Sequence, residues 1–428
     1  MTCKQRPSSP LTRAQHPPEG RGSARRAGGL CTTTIALGLL GSPALGQDID
    51  SLPYYITAPG TYTMTADLHQ IGSTAISIAA SNVVLDLGGH TLSGAGGYDG
   101  GYGYGVGVGP GVSNVTIRNG TIEDFSIETG ILLYQTTGCT VSGVTVQRCG
   151  GGVSLLDSNQ NTILNNTLDH NIHANIGVIN SSTNIIQGNT CLDDASWGIR
   201  MGGASTGNFL VSNTCDGAFA WGIDLTDGTI VIANTTTNQS IGIHGEEVDG
   251  CLLQDNISTG NLHGILLAGN GNTLHHNTVN DNADTGFFLA GAGISVHHNT
   301  ANGNGSGFYV LSANGSTIRD NTANGNTYDG IIVWTSGLQC GGNTITKNTA
   351  NGNGHSGVEV FGCVSNIVKD NTTLGNAAYG VAIVAASGNE VEKNTATGNV
   401  LVDVVDDTCA ANVWKRNQYV TSSGACIN

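Results

Sequence analysis

Three side chains able to move protons or hold charge stand at equivalent places in a chain dominated by Gly, Asn and Thr. They are Arg200 in GIRM, Asp224 in GIDL and His244 in GIHG, each the third residue of a Gly-Ile-X motif and 24 and then 20 residues apart. A carboxylate and an imidazole held side by side can act as general acid and base, and a guanidinium beside them can bind an anionic group. Trp197 and Trp221 directly precede two of these motifs and are two of only four tryptophans. Exposed aromatic faces stack on sugar rings, so Trp197 and Trp221, with His263 and Tyr309 on neighbouring motifs, are candidate substrate contacts, and Arg200, Asp224 and His244 the candidate catalytic residues. The alternative is a surface ion pair between Arg200 and Asp224 with packed turn tryptophans, which contributes little.

Two further groups could hold metal ions. Asp193, Asp194 and Asp216 lie in the same stretch and could take calcium, a hard cation that prefers oxygen ligands. The segments LHHNT at Leu274 and VHHNT at Val296 place His275 and His276 one repeat before His297 and His298. Four imidazoles could ligate copper, zinc or nickel. Two adjacent residues of one strand, however, point to opposite faces, which would keep each His pair from converging.

Such sites need a scaffold that brings distant residues together at fixed spacing. Asn-Thr recurs at Asn166, Asn189, Asn213, Asn234, Asn277, Asn299, Asn321, Asn348, Asn371 and Asn394, with Asn256 filling the gap. The spacing is 21 to 24 residues, apart from 27 after Asn321. Each unit contains a Gly followed by an alternating apolar triplet (GILL, GFFL, GFYV, GIIV, GVEV) and a second short apolar segment before the next Asn. Alternation at period two over three to five residues means short strands. A repeat near 22 residues with three strands per coil predicts an all-β, right-handed parallel β-helix of about 12 coils; a leucine-rich solenoid is excluded by its missing leucine spacing and helical half. Stacking sets equivalent residues about 4.8 Å apart. The outward middle residues of the triplets then form one row: Arg200, Asp224, His244, Leu266, Phe288, Tyr309, Ile332, Glu359 and Ala382. The repeated Asn is expected to turn a corner with left-handed backbone and to hydrogen-bond to its copies along the axis.

The opening PYYITAPGTYTMTADL, followed by AISIAASNVVLDLGGHTLSG and NVTIRNGTIEDF, resembles the exported right-handed β-helix repeat proteins. That superfamily includes pectate lyases, polygalacturonases, alginate epimerases and the copper-linked maturation protein of nitrous oxide reductase. The resemblance implies the fold from Tyr54 onward. It does not imply one activity: LDD at Asp193 and GIHG at His244 lie two coils apart with no RIK, and the DPHE signature is absent.

Composition narrows the partners. Beyond residue 46 the chain has 9 basic and 30 acidic residues, a net charge of about −21, which argues against nucleic acid. The first 46 residues, with Arg21, Arg25 and Arg26 before GGLCTTTIALGLLG and SPALGQ, read as an export signal cut near Gly46. The apolar run is too short for a membrane span. Nine of the 11 cysteines follow the leader. Register pairs Cys191 with Cys215 and Cys340 with Cys363 as disulfides, and Cys409 with Cys426 at the C-terminus, with Cys139 and Cys149 a weaker pair and Cys251 left as a thiol. The organisation expected is a leader (1–46) and one β-helix domain (47–428), with coils over 75–399 between end caps at 47–74 and 400–428. The segment Ser93 to Gly111, rich in Gly, is expected to be a loop. Function is expected to be binding, and in one form hydrolase or lyase cleavage, of a polysaccharide by a secreted, periplasmic or cell-surface monomer. The alternatives are a non-catalytic surface or adhesion rod and a periplasmic copper-binding β-helix protein. No cofactor is required, calcium excepted.

Overall fold

A computed structural model describes residues 46–96, 103–193, 196–335, 337 and 339–427; the expected export signal and Asp194 lie outside these residues. The chain winds as a right-handed parallel β-helix, with no helix among the described residues. Most coils contribute three strands; at Thr300, Thr322 and Thr349 one of the three is reduced to a single bridge. In one coil they are Thr167–Asp169, Ala174–Ile179 and Ile185–Gln187. The strand carrying the triplet defines what we call the first face, and the strand after it the second face. The strand that opens with Asn-Thr lies on the third face.

The first face runs in register from Tyr54–Ile56 to Ser422–Ser423. Along it Arg200 pairs with Asp224, Asp224 with His244, and so on through Leu266, Phe288, Tyr309, Ile332, Glu359 and Ala382, in the order read from the repeat. There are about 15 turns rather than 12. The additional turns lie at the ends: Gln47–Ile49 pairs with Gly60–Met64, and Val402–Asp406 pairs with Tyr379–Val384. Val106–Val108, inside the segment expected to be a loop, is also a rung, hydrogen-bonded between Ile76–Ile78 and Thr129–Tyr134. Its GVGVG alternation is a strand pattern that the density of Gly conceals.

The core is a set of identical stacks. Ile199, Ile223, Ile243, Ile265, Phe287, Phe308, Ile331, Val358 and Val381 are all 0% exposed. Phe287 and Phe308 lie face to face at 4.6 Å. Burying each such side chain contributes about 1.5–3 kcal/mol, so the solenoid is held by many equal increments. The Gly before each triplet is required by close approach. A Cβ at Gly242 would stand 2.7 Å from the Gly264 carbonyl oxygen, and one at Gly264 2.6 Å from that of Gly286.

The repeated Asn residues form the expected ladder. Asn166 donates from its backbone N (3.0 Å) and Nδ2 (2.9 Å) to Asn189 Oδ1, and the pattern continues to Asn417. Their backbone does not make the corner, however. The left-handed residue is the one before each Asn, for example Asn165, Asp255, His276, His298 and Lys347. The Asn side chain points inward, 0–2% exposed from Asn166 to Asn394. Two more Asn ladders occupy the other corners, through Asn161, Asn184 and Asn208, and through Asn261, Asn282 and Asn304.

Candidate functional site

The first-face row assembles only in part. His244 Nδ1 lies 2.9 Å from Asp224 Oδ1, and the imidazole is covered by the Trp221 ring at 3.7 Å, which leaves His244 7% exposed. Arg200 turns away: its guanidinium sits 4.3 Å over the Trp197 ring, and among the described residues no ion pair joins it to Asp224. The three expected catalytic groups therefore do not meet. The buried His244 has little access to a substrate. Trp197 and Trp221 pack edge to face at 6.1 Å, so each tryptophan already has a ring contact on one side. His263 lies one rung beyond His244 at the tryptophan position, 3.8 Å from Asp284. Tyr309 is three rungs beyond His244, roughly 14 Å at the sheet spacing, and stacks on Phe288 at 5.4 Å.

Of the calcium trio, Asp193 and Asp216 lie on adjacent rungs, joined by a hydrogen bond from Asp193 N to Asp216 O. Asp216, on the third face, accepts hydrogen bonds from Thr237 Oγ1 (2.8 Å) and Asn238 Nδ2 (2.7 Å). Asp193 groups instead with Asp169 and His170. One signal for this region went unread in the sequence. Five residues after each Asn-Thr Asn stands another Asn, and this third ladder is replaced by Asp194, Ala218 and Gln239 in the three coils that carry the polar row.

The cysteines divide by position. Cys340–Cys363 and Cys409–Cys426 are disulfides. Cys215 is a buried thiol, so the expected bridge from Cys191 is not formed. Both residues lie inside paired strands and face the core in register. There, parallel Cβ vectors stand about 4.8 Å apart, beyond the roughly 3.8 Å that a disulfide requires. Cys340 lies in a turn, where the chain can close that gap. Cys139 and Cys149 are likewise buried thiols, and Cys251 is the thiol expected.

The histidines converge, contrary to the opposite-face argument. His275 ends the strand Thr273–His275, but His276 is the left-handed corner residue (φ 57°), and the same holds for His297 and His298. The reversed backbone swings the second ring to the side of the first. His275 Nδ1 lies 2.9 Å from His276 Nδ1, and His297 Nδ1 3.1 Å from His298 Nδ1. Between rungs the rings stack at 5.1 Å, with interplanar angles of 0° and 6°. The result is a two-by-two array of imidazoles, anchored behind by the buried Asn277 and Asn299. Burial, then the charge of neighbouring histidines, pushes His275 below the ordinary imidazole range; burial, then Arg319 and the other histidines, does so for His297. Gln254 and Asp255 border the array on one side, and Arg319, paired with Asp320, borders it on the other.

Neutral imidazoles with paired lone-pair nitrogens suit a transition-metal ion. Metal–nitrogen bonds of about 2.0–2.1 Å place neighbouring ligand nitrogens roughly 2.9–3.4 Å apart, and both Nδ1 pairs fall in or near that range. His275 with His276, and His297 with His298, would each offer two nitrogens to an ion; between rungs the rings lie 5.1 Å apart, beyond the roughly 4 Å that two bonds to one centre span, and N-donor sites of this type favour copper(II) over the other divalent first-row metals.

The fold and this array define an elongated parallel β-helix with a surface cluster of metal-type ligands. A family profile described as "Periplasmic copper-binding protein (NosD)" matches residues 102–232, 222–337 and 291–427, about three quarters of the chain, and the chain belongs to that family. No curated protein matches the sequence. Solved structures similar to it include the periplasmic alginate epimerase AlgG (12% identity, covering 85% of this chain and 77% of that one, TM-score 0.29). They also include the mannuronan C-5 epimerase AlgE4 A-module of Azotobacter vinelandii (12% identity, 86% and 87% covered, TM-score 0.30). A third is the DFA-IIIase of Arthrobacter chlorophenolicus A6 without its lid (12% identity, 72% and 70% covered, TM-score 0.36).

Proposed function

We propose that this chain is an exported β-helix protein that holds copper-class transition-metal ions at two histidine pairs, His275 with His276 and His297 with His298. The observation that carries the proposal is the pair of Nδ1–Nδ1 approaches, 2.9 and 3.1 Å, repeated on adjacent rungs. Stacking along a solenoid consumes the faces of aromatic rings and leaves their edges to solvent. Imidazole edges carry the nitrogens that bind metals, so stacking prepares the array for its ligand. The same geometry weakens sugar stacking on Phe288 and Tyr309, whose faces meet each other. The family description favours copper and a periplasmic location.

A second reading, binding of a polysaccharide, is favoured by a groove of about 230 Å³ on the first face. Glu128, Ser154, His173, Gly177 and Arg200 line it. The small side chains at Ser154 and Gly177 leave a floor on which a chain could lie, and Arg200 closes its end.

The decisive experiment is titration of the metal-free protein with Cu²⁺, followed by calorimetry and by electron paramagnetic resonance. Binding with nitrogen hyperfine structure is expected, weakened at least tenfold by His275→Ala with His297→Ala. Unchanged binding in that double variant would remove the array as the site. Binding of neutral or acidic oligosaccharides that is lost in Arg200→Ala would support the second reading.

A further inference from the structure

A second cluster of metal-type donors lies on a different face, about three rungs toward the C-terminus from the array. Asp329 precedes the strand Ile331–Trp334, and His355 and Ser356 precede the strand Val358–Phe361, which carries Glu359. Backbone hydrogen bonds from His355 N to Tyr328 O and from Gly330 N to Ser356 O hold the two segments side by side. His355 Nδ1 lies 2.7 Å from Asp329 Oδ1, 3.1 Å from Ser356 Oγ and 3.5 Å from Glu359 Oε2. Ser356 Oγ also donates to Glu359 Oε2 at 2.8 Å. One ligand atom each from Asp329, His355 and Glu359 falls within a 4.8 Å circle.

This is not a serine-nucleophile arrangement. In a Ser-His-Asp relay the hydroxyl and the carboxylate engage opposite ring nitrogens, whereas Ser356 and Asp329 both meet Nδ1. Three oxygens converging on one nitrogen instead describe a point in space surrounded by donors. Charge points the same way. Asp329 and Glu359 are 8% and 7% exposed, and no Lys or Arg among the described residues pairs with either. Two buried carboxylates facing one imidazole lack compensating positive charge, and uncompensated buried charge is costly. The deficit can be met by a proton on Glu359, which burial and the facing Asp329 push toward the neutral acid against the opposing Ser356 hydrogen bond, or by a cation.

We infer that Asp329, His355 and Glu359 form a second cation site, separate from the histidine array and selective for a divalent ion of the zinc or manganese class. Ligand bonds of about 2.0–2.2 Å to imidazole nitrogen and carboxylate oxygen require donor separations of roughly 3 Å, and the 2.7 and 3.5 Å approaches bracket that value. A bound ion would occupy the place between Nδ1 and Asp329 Oδ1 that a shared proton otherwise fills. The two carboxylates make this donor set harder than the four imidazoles, so the two sites differ in preference. The His355 side chain is 47% exposed, which gives the ion an entry path and leaves a position open to water.

The test uses the full chain with the array disabled by His275→Ala and His297→Ala, titrated with Zn²⁺ and separately with Mn²⁺. One equivalent is expected, accompanied by a rise in Tm. His355→Ala and Glu359→Gln, each added singly, are expected to weaken it at least tenfold and to abolish the Tm rise. His355 is half exposed and the Gln variant is isosteric, and circular dichroism checks the fold of both. Absence of this equivalent, or its persistence in both variants, overturns the inference and leaves Glu359 as a proton-bearing structural acid. Failure of the array alone would read differently: the wild-type chain would take up one equivalent, sensitive to His355→Ala and not to His275→Ala.

Discussion

Replacing Asn299 with Ala tests how the ladder supports both the fold and the array, because Asn299 follows His298 directly. Its Oδ1 accepts from Asn277 N (2.9 Å) and Asn277 Nδ2 (2.9 Å), and its Nδ2 donates to Leu274 O (2.9 Å), His297 O (3.2 Å) and Asn321 Oδ1 (3.1 Å). Not all these losses count equally. Asn277 Nδ2 keeps Leu253 O as an acceptor, and Asn321 Oδ1 keeps the Asn299 backbone N–H as a donor. The Asn277 N–H loses its acceptor in a site that is 1% exposed, whereas the Leu274 carbonyl, in a strand paired with Ser295–His297, keeps a sheet partner. At about 1–3 kcal/mol for one stranded buried group, the cost is about 1–3 kcal/mol, above the roughly 0.5 kcal/mol of an ordinary surface change. A solenoid need not unfold in one step. Hydrogen–deuterium exchange over residues 270–325 is therefore the assay, with urea unfolding beside it. Faster exchange confined to the rungs on either side of Asn299, together with weaker Cu²⁺ binding, is expected. A loss below about 1 kcal/mol, or copper affinity unchanged despite local opening, would refute the claim that the ladder carries the corner on which the histidines sit.

Two further outcomes follow from the titrating groups. His275 and His297 are held below the ordinary imidazole range, so over the window between their depressed values and about 6.5 the unfolded chain binds more protons than the folded one. Stability of the metal-free protein should then fall as pH drops through that window, and His275→Gln with His297→Gln should flatten the pH dependence of Tm. Burial pushes the Cys149 and Cys251 thiols up to about 12 and 11. Neither should react with a water-soluble disulfide reagent at pH 8 until the chain is denatured, and mass spectrometry of the labelled peptides reads this directly.

The fold was legible because one repeat was written many times. Counting from each Asn placed Arg200, Asp224 and His244 in one register row, and the structure pairs them in that order. Register, however, gives the position of a Cβ and not the direction of a long side chain, so the turn of Arg200 onto Trp197 was not readable. The histidines failed in the opposite sense. Period-two alternation sent His275 and His276 to opposite faces, but alternation ends where the backbone turns left-handed, and His276 sits at that point. The Asp329–His355–Glu359 cluster was invisible for a third reason. Glu359 belongs to the outward row, whereas Asp329 and His355 come from turns, where a fixed spacing from the Asn no longer fixes geometry.

The ladders also account for how the solenoid ends. Each Asn receives two donors from the coil before it and passes its own Nδ2 to the coil after it, so the side-chain amides align like the peptides of a helix, with their donor ends toward the C-terminus. A run of this kind needs an acceptor at its last rung, and an anion there opposes the accumulated dipole. Two of the three ladders reach a carboxylate. Asn399 donates from N (3.0 Å) and Nδ2 (2.9 Å) to Asp403 Oδ1, and Asn412 Nδ2 donates to Asp406 Oδ2 at 3.0 Å. Both acids are 2% exposed. Val420 N and Thr421 N bond the other oxygen of Asp403, and Trp414 Nε1 bonds Asp406. Burial, the largest single influence on Asp403, favours its neutral form, and the hydrogen bonds from Asn399, Val420 and Thr421 together outweigh it and hold the group below the usual carboxylate range. Asp403 is thus held as an anion by the ladder it ends, while the Cys409–Cys426 disulfide ties the segment following Asp406 to the C-terminal strand. The same physics that makes the repeat monotonous selects the residue at which it stops.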